Sequence, residues 1–250
     1  ASRFLTKLTL GEVKKLKGQQ LINCFQEIRR MACDVHYCGT LSEEEVAAAI
    51  RQCLPIEEVQ IPSDWFYHRS LQHYERPTIY LMEMKEVTQS VIYAYMYLEP
   101  LSGQRDFHLS RLFNNYFGGD MSSLMFQEIR EFRSYAYQVS ARLKHPPLNH
   151  VEQPANFVMR LATQADKTVD AMEVLESLVR DMPQRPERVE GVKRTIRNWV
   201  NNEYPSSRSL SLKIAKFQHG GYQSDPNKDY VEVIESMRME EIMDFYERHV

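Results

Sequence analysis

The sequence predicts an α+β fold in which helices cover an antiparallel or mixed sheet. Strand-like segments rich in aromatic and β-branched residues come in neighbouring pairs, and amphipathic helical segments follow one another. A parallel sheet would instead require strict alternation of strand and helix. Hydrophobic residues make up 43% of the 250 residues and charged residues 26%, which is ordinary for a globular protein, and the length fits one large domain or one and a half small ones.

The N-terminal part is predicted to be helical. An apolar stripe at helical spacing predicts a helix over 6–29, within a helical segment 1–31 that leads into a domain at 32–250. The segment 32–39, "ACDVHYCG", is predicted to be the first strand of that domain, ended by a glycine.

A second helix is predicted directly after this strand. Ser42 is an N-cap residue and Glu45 completes a capping box three positions later, so the helix begins there and ends before Pro55. The stretch 55–77 contains three prolines and no clean period, which predicts an irregular connector.

Two strands are predicted after the connector, at 78–84 ("TIYLMEM") and 90–99 ("SVIYAYMYLE"). Both faces of the second strand are largely apolar, and such a strand is expected to be central and covered on both sides. A helix at 105–117 follows, and Gly118 and Gly119 are expected to break it.

The glycine pair precedes a further helix at 121–133, for which Asp120 or Ser122 is the expected N-cap, and a strand at 135–143. A phosphate-binding loop is disfavoured because "FGGD" has neither the G-x-x-x-x-G-K-[ST] nor the G-x-G-x-x-G spacing. The remaining elements are predicted as a strand at 155–164 and helices at 167–182, 186–203, 209–221 and 238–250. A weak echo of the first helix in the last one predicts an excerpt of a longer, repeated architecture that is cut before its final strand.

Net charge argues against several classes of partner. At a net charge of −3 and a pI near 6.3, nothing favours binding to nucleic acid or to an acidic membrane surface. No apolar run approaches the roughly 20 residues that a membrane span needs, and no signal-peptide pattern is visible. The compartment stays open.

A metal site within this chain is also disfavoured. In "CDVHYC", the odd spacings of Cys33, His36 and Cys38 would send these side chains to opposite faces of a strand, so the thiols are expected to be buried or half-buried instead. None of the eight histidines lies in an H-x-x-E-H or H-E-x-x-H pattern. We therefore predict no metal ligands and no cofactor in this chain.

Arg130 and Tyr137 are the candidate functional residues. Arg130 lies near the end of a predicted helix and Tyr137 near the start of the next strand, so a tight reversal can bring both to one rim of the sheet. A guanidinium and a phenol at one rim are two donors that can converge on a single oxygen, as stabilisation of an oxyanion requires. The alternative from spacing alone is a solvated arginine and an ordinary sheet tyrosine.

The segment "LFNNYFGGDMSSLMFQEIREFRSYAYQV" resembles the signature of the second, non-zinc domain of the pitrilysin/insulinase family of metallopeptidases. Other parts are similar too, including "DVHYCGTLSEEEV", Gln89 before a strand, and the later helices. The resemblance implies a pitrilysin-like fold, and a zinc ion held by H-x-x-E-H in a partner half that is either covalently attached or a separate subunit.

In that family, the resemblance implies, an Arg and a Tyr of this domain contact the substrate carbonyl across a chamber. These positions are Arg130 and Tyr137, with Arg133 and Tyr135 as nearby competitors, since Tyr135 and Tyr137 are expected to share a strand face.

Gly118, Gly119 and Tyr135 are the expected substrate-binding residues, and the substrate is expected to be a peptide or protein. Alone, the chain is expected to be inert. The alternative is a non-catalytic scaffold subunit of the same superfamily that binds partner proteins.

Overall fold

The computed structural model describes residues 7–54, 70–101 and 103–250. The helices, in chain order, are α1 (Leu10–Lys15), α2 (Gly18–Ile28), α3 (Glu43–Cys53), α4 (Gly103–Asn114), α5 (Thr168–Arg180), α6 (Pro186–Asn202), α7 (Ser207–His219), α8 (Tyr230–Ser236) and α9 (Met239–His249). The strands are β1 (Gln89–Leu98), β2 (Ala136–Lys144) and β3 (Ala155–Gln164). Two π-helical segments, Asn115–Gly119 and Phe126–Glu131, and two short 3-10 turns complete the regular structure.

The chain divides into two compact units. The first comprises Ala1–Ser70 and Pro205–Leu212, and the second comprises Leu71–Tyr204 and Lys213–Val250. Most of the predicted connector, residues 55–69, lies outside the described residues.

The first unit carries α1 to α3, none of which has a buried residue. Thr9 and Glu12 form a capping box at the start of α1, and Glu12 Oε2 accepts the backbone N–H of Thr9 at 2.7 Å. The helix predicted over 6–29 is wrong as a single element, because Leu16 and Lys17 adopt extended backbone and separate α1 from α2.

The capping box predicted for α3 is confirmed. Glu45 Oε2 accepts the backbone N–H of Ser42 at 2.7 Å, and Ser42 Oγ accepts the backbone N–H of Glu45 at 3.3 Å. The preceding strand prediction at 32–39 is wrong, since these residues pair with no strand of the described sheet and their side chains are exposed. Cys33 and Cys38, predicted to be buried or half-buried, are exposed, as are Cys24 and Cys53, because the predicted strand does not form and its side chains face solvent.

The second unit is built on a three-stranded antiparallel sheet in the order β1-β3-β2. The sheet confirms the predicted fold class, and β3 occupies the predicted residues 155–164. Its side chains alternate between buried and half-buried up to Gln164, which is exposed, as expected for a strand with one face on the core.

The prediction that β1 is the central strand is wrong, because β3 lies between β1 and β2. The outer face of β1 reads as apolar because tyrosines occupy it, and some of them are covered locally: Tyr95 donates its hydroxyl to the carbonyl of Gln72 at 2.8 Å, and His73 contacts Tyr97 edge-on at 4.8 Å between centroids. The strand predicted at 78–84 is not formed, since the segment pairs with no described strand and leaves its apolar side chains in solvent.

Helices α4 and α5 and the two π-helical segments contact the inner face of the sheet, and α6, α8 and α9 pack against α4, so that all of them bury a shared core. Its centre is aromatic: Phe113 lies 5.5 Å from Phe117 and 5.6 Å from Phe245 between ring centroids, and Phe157 of β3 contacts both Phe113 and Phe117. Offset and tilted aromatic contacts of this kind add to the free energy gained by burial alone. The core therefore connects β3 to α4 and to α9.

Two polar groups of α9 attach the last helix to α4. Asp106 is 4% exposed and accepts hydrogen bonds from Arg248 at 2.9 Å and 3.2 Å. This contact is the main reason that the pKa of Arg248 is raised. His249 Nε2 lies 3.2 Å from the same carboxylate, yet burial dominates and lowers the pKa of His249.

Among the described residues, no helix is both long and apolar enough to cross a bilayer.

Candidate functional site

The reversal between the second π-helical segment and β2 is tight because Ser134 takes a left-handed conformation, with φ of 52°. The backbone N–H of Ser134 donates to the carbonyl of Arg130 at 3.0 Å, and that of Tyr135 donates to the carbonyl of Ile129 at 2.9 Å. Carbonyls at a helix end need such partners, and a left-handed residue just beyond the helix usually supplies them. The turn fixes the end of the helix next to the first residues of β2.

β2 contains a bulge at its start. Ala136 pairs with Thr163 and Gln138 pairs with Ala162, so Tyr137 is an extra residue without a partner across the strand pair. As a consequence, Tyr137 and Gln138 both point away from the core and are exposed.

The expectation that Tyr135 and Tyr137 share a strand face is wrong. Tyr135 precedes the strand and its ring is half-buried against the core, whereas Tyr137 is 76% exposed. Thr163 Oγ1 donates to the carbonyl of Tyr135 at 2.5 Å and holds this residue at the sheet end. The bulge therefore distinguishes the two tyrosines, which the sequence pattern treats alike.

The side chain of Arg130 lies against two aromatic rings. Its Cζ is 4.7 Å from the ring centroid of Tyr137 and 4.5 Å from that of Phe126, one helical turn earlier. Its Nε is 3.7 Å from Glu131 Oε1, a contact between two partly exposed groups that contributes little. The structure thus brings Arg130 and Tyr137 together, as the sequence predicts.

A cleft of about 410 Å³ opens beside this pair. It lies at the end of the sheet where β1 and β3 present Gln89 and Gln164, which are directly opposite each other in register. Its lining consists of Gln89, Arg130, Glu131, Ser134, Tyr135, Ala136, Tyr137, Ala162, Thr163 and Gln164. The cleft is mainly polar and open to solvent, which suits a peptide backbone better than an apolar ligand.

Arg133, the competitor of Arg130, is engaged elsewhere. Its Nη1 donates to both the backbone carbonyl and the carboxylate of Glu128, each at 2.7 Å. Glu128 is 9% exposed and is also 3.7 Å from Arg185. Arg133 therefore neutralises a buried carboxylate on the other side of the helix, and it does not line the cleft beside Tyr137.

The glycine pair ends a helix and does not break one. Helix α4 continues into the π-helical segment Asn115–Gly119, and extended backbone begins only at Asp120. Gly118 is buried against β2, where an added Cβ would lie 2.4 Å from the Cβ of Ala141. Neither glycine lines the cleft within the described residues, and substrate contact at Gly118 and Gly119 stays a prediction.

The N-cap predicted at Asp120 or Ser122 is wrong by one residue or more. Asp120 Oδ1 accepts hydrogen bonds from the backbone N–H and the hydroxyl of Ser122, which makes a turn ahead of the helix. Ser123 accepts the first bonds of the helix instead, from the N–H groups of Phe126 and Gln127.

Metal-binding groups are not gathered at this site. In the part of the chain that the structure describes, no three His, Cys, Asp or Glu side chains lie close enough together to hold an ion. One of the eight histidines, His68, lies outside the described residues and is not covered by this statement.

The sequence matches the peptidase M16 inactive domain over residues 16–196. The match spans well over half of the chain and includes the whole site. The chain belongs to the M16 inactive-domain family. This M16 domain has no significant match among curated proteins.

Solved structures share its fold at low sequence identity. A conserved protein from Enterococcus faecalis V583 has a TM-score of 0.62 at 14% identity and covers 96% of this chain and 55% of its own. The peptidase M16 inactive domain from Pseudomonas fluorescens has a TM-score of 0.55 at 15% identity, with coverages of 84% and 48%. A chain of complex III2 from Candida albicans has a TM-score of 0.54 at 14% identity, with coverages of 85% and 51%. The M16 domain thus spans about half the length of these proteins.

Phe126 belongs to the site although it was not predicted from the sequence. The signal was available, because Phe126 and Arg130 are four residues apart on a predicted helix and such pairs lie side by side. The bulge at Tyr137 had no comparable signal.

Proposed function

We propose that this M16 inactive domain forms one wall of the substrate chamber of a zinc metallopeptidase and supplies Arg130 and Tyr137 to the scissile carbonyl. The observation that carries the proposal is the contact of Arg130 with Tyr137, at 4.7 Å from Cζ to the ring centroid, beside an open polar cleft. Family membership provides the general frame, since the domain is the inactive half of pitrilysin-like proteins.

The two side chains suit the chemistry of a developing oxyanion. A guanidinium stays charged at any physiological pH and offers several N–H donors, and a phenol offers one O–H donor. Donors that are fixed before the reaction stabilise charge that appears in the transition state, and loss of one such donor typically lowers kcat by about 10²–10³-fold.

The aromatic contacts of Arg130 keep its donors available. Arg130 Cζ lies over the rings of Phe126 and Tyr137, and an aromatic ring attracts a cation without accepting a conventional hydrogen bond from it. In the proposal, the terminal N–H groups of the guanidinium bind the substrate oxygen. Phe126 is in this proposal a positioning residue for Arg130.

Zinc belongs to the catalytic half in this family, and the proposal places it there. The described residues of this chain do not fit a zinc site, and no step involving the ion is assigned to them. What this chain supplies is binding of the peptide carbonyl and exclusion of water from one side of the substrate.

A partner half also explains exposed apolar side chains of the segment 79–84. Ile79, Leu81 and Met82 are 78%, 91% and 86% exposed. Contiguous exposed apolar residues are typical of interaction surfaces. In the proposal this segment contacts the partner half, which is either covalently attached or a separate subunit.

The test is cleavage of a quenched fluorescent peptide library by the full parent protein, or by this chain mixed with its zinc-binding half. Tyr137→Phe and Arg130→Lys are expected to lower kcat by about 10²-fold with little change in KM, because they remove donors that act in the transition state. Tyr204→Phe is the matched control, since Tyr204 is 85% exposed and lies outside the cleft.

Cleavage that survives both substitutions would overturn the role of the pair. Silence of the wild-type protein in every combination would instead favour the second candidate, a non-catalytic scaffold that binds partner proteins. The structure of complex III from Candida albicans, which contains a chain of this fold, is the observation that keeps that candidate open.

A further inference from the structure

The outer face of the sheet carries positive charge that no acid of the strands themselves balances. The strands β1, β2 and β3 contain no Asp or Glu, although acidic residues outnumber basic ones in the chain by 34 to 31. The strands do carry three cations, Arg142, Lys144 and Arg160, and all three occupy outward positions. Arg142 and Lys144 are exposed.

These cations form no ion pair within the described residues. Arg160 is held by neutral partners instead, donating to the hydroxyl of Tyr93 at 3.1 Å and to the side-chain oxygen of Gln138 at 2.9 Å. A neutral hydrogen-bond partner orients a guanidinium without cancelling its charge. The acids nearest to these cations along the chain, Glu152 and Asp166, lie beyond the strand ends.

The cations are spaced regularly along the sheet. Arg160 is opposite Ser140, so Arg160, Arg142 and Lys144 fall in three successive outward rows of the β2–β3 pair. Outward rows are two residues apart, which is about 7 Å. An extended peptide has the same repeat, because every second side chain points to the same side.

The outward-facing residues of β3 connect the candidate site to Arg160. Ala162, which lines the cleft beside Tyr137, is two residues from Arg160 on the same face of β3. A peptide whose carbonyl reaches Arg130 and Tyr137 therefore passes over Arg160, Arg142 or Lys144 when it continues along the sheet.

We propose that this face, defined by Arg142, Lys144 and Arg160, binds an extended acidic peptide with Asp or Glu at every second position. The proposal rests on the proposed function for its assignment of the occupant as a substrate peptide, and it names the class of that substrate. The acids would lie about two to six residues from the scissile bond, and tyrosines of β1 border the same face.

The test is fluorescence anisotropy of labelled decapeptides with the 250-residue chain, which needs no catalytic activity. The probes have Glu at every second position, Gln at the same positions, or Lys at the same positions. The Glu peptide is expected to bind about tenfold more tightly than the Gln peptide, because each of the three ion pairs adds a modest gain. The difference should vanish near 0.5 M NaCl, where exposed charges are screened over about 4 Å.

Variants locate the binding face. The double variant Arg142→Gln with Lys144→Gln is expected to lose most of the preference for the Glu peptide. The control is Arg194→Gln with Lys228→Gln, which removes the same charge from exposed positions away from the sheet and should keep the preference. The reversed variant Arg142→Glu with Lys144→Glu should prefer the Lys peptide.

Equal binding of the Glu and Gln peptides, or equal loss in the control variant, would overturn the proposal. Tighter binding of a single-stranded oligonucleotide of equal charge than of the Glu peptide would also overturn it, because the ligand of this face would then be a nucleic acid. Binding of these peptides does not require Arg130 or Tyr137. If the Glu peptide binds as expected but Arg130→Lys leaves cleavage intact, the acidic-peptide proposal stands and the proposed function fails.

Discussion

Gly118, in the π-helical segment that continues α4, and Ala141 of β2 approach so closely that no side chain fits between them. A Cβ on Gly118 would lie 2.4 Å from the Cβ of Ala141 and 2.5 Å from its backbone nitrogen. Gly118→Ala is therefore expected to destabilise the protein by about 2 kcal/mol or more, since helix and strand must separate. Urea unfolding followed by circular dichroism measures the change.

Two further variants make this prediction specific. Ala141→Gly should not rescue Gly118→Ala, because the backbone nitrogen of residue 141 remains in the way. Gly191→Ala is the control: Gly191 lies inside α6 with no atom within 4 Å of an added Cβ, so a gain of about 0.5–1 kcal/mol is expected from helix propensity. Equal effects at both glycines would contradict the close approach.

Asn114 blocks part of the free edge of β2. Its side-chain oxygen accepts the backbone N–H of Leu143 at 2.7 Å, and its amide donates to the carbonyl of Leu143 at 2.9 Å. Asn114→Ala leaves both backbone groups without this partner, and a loss of about 2 kcal/mol in the free energy of unfolding is expected. Asn201→Ala, at an exposed position of α6, should change it by less than about 0.5 kcal/mol. Matching values for the two variants would show that the contact does not stabilise β2.

The ring of Phe126 is expected to hold Arg130 in place in the free domain. Arg130 Cζ lies 4.5 Å from the centroid of this ring and 4.7 Å from that of Tyr137, so the guanidinium protons should show ring-current shifts in a proton–nitrogen NMR spectrum. Phe126→Leu should move the Arg130 signals toward random-coil values, whereas Tyr137→Phe keeps a ring and should move them less. Unchanged Arg130 signals in Phe126→Leu would exclude the positioning role.

Acid is expected to destabilise the second unit through its buried histidines. Loss of hydration on burial is the largest cause that lowers the pKa of His108, His145 and His249. The unfolded chain then binds protons that the folded chain does not, beginning near the ordinary histidine pKa of about 6.5. The free energy of unfolding should therefore fall as pH decreases from about 7.5 to 5.5.

His108→Gln tests the origin of this pH dependence. His108 is 6% exposed and stacks on Tyr230, and the neighbouring charge of Arg111 adds to the lowering of its pKa. The variant should show a shallower fall of the unfolding free energy between these pH values, measured by urea titration at each pH. A slope as steep as that of the wild type would assign the acid sensitivity to other groups.

The elements that could be predicted from sequence are those fixed by local chemistry. The residues of β3 alternate between core and surface over their full length, and Ser42 with Glu45 specifies the start of α3 through two side-chain contacts. The approach of Arg130 to Tyr137 also followed from local chain geometry, because a short reversal joins the helix to β2.

Features that depend on a distant partner could not be predicted. Whether β1 is central or at an edge depends on which strand pairs with it, and the tyrosines on its outer face give the same apolar pattern in both cases. The bulge at Tyr137 arises from the register of β2 against β3, so alternation alone wrongly placed Tyr135 on the same face. The segments 32–39 and 78–84 have strand composition but pair with no described strand.

The position of β1 at the edge of the described sheet has a consequence for handling the protein in solution. An edge strand presents unpaired backbone groups, and here the exposed apolar residues at 79–84 directly precede it in the chain. Two copies that pair through their β1 edges would satisfy the free backbone groups and cover these apolar side chains. Light scattering per unit mass of the isolated chain should therefore rise with protein concentration, and storage at low concentration should limit this association.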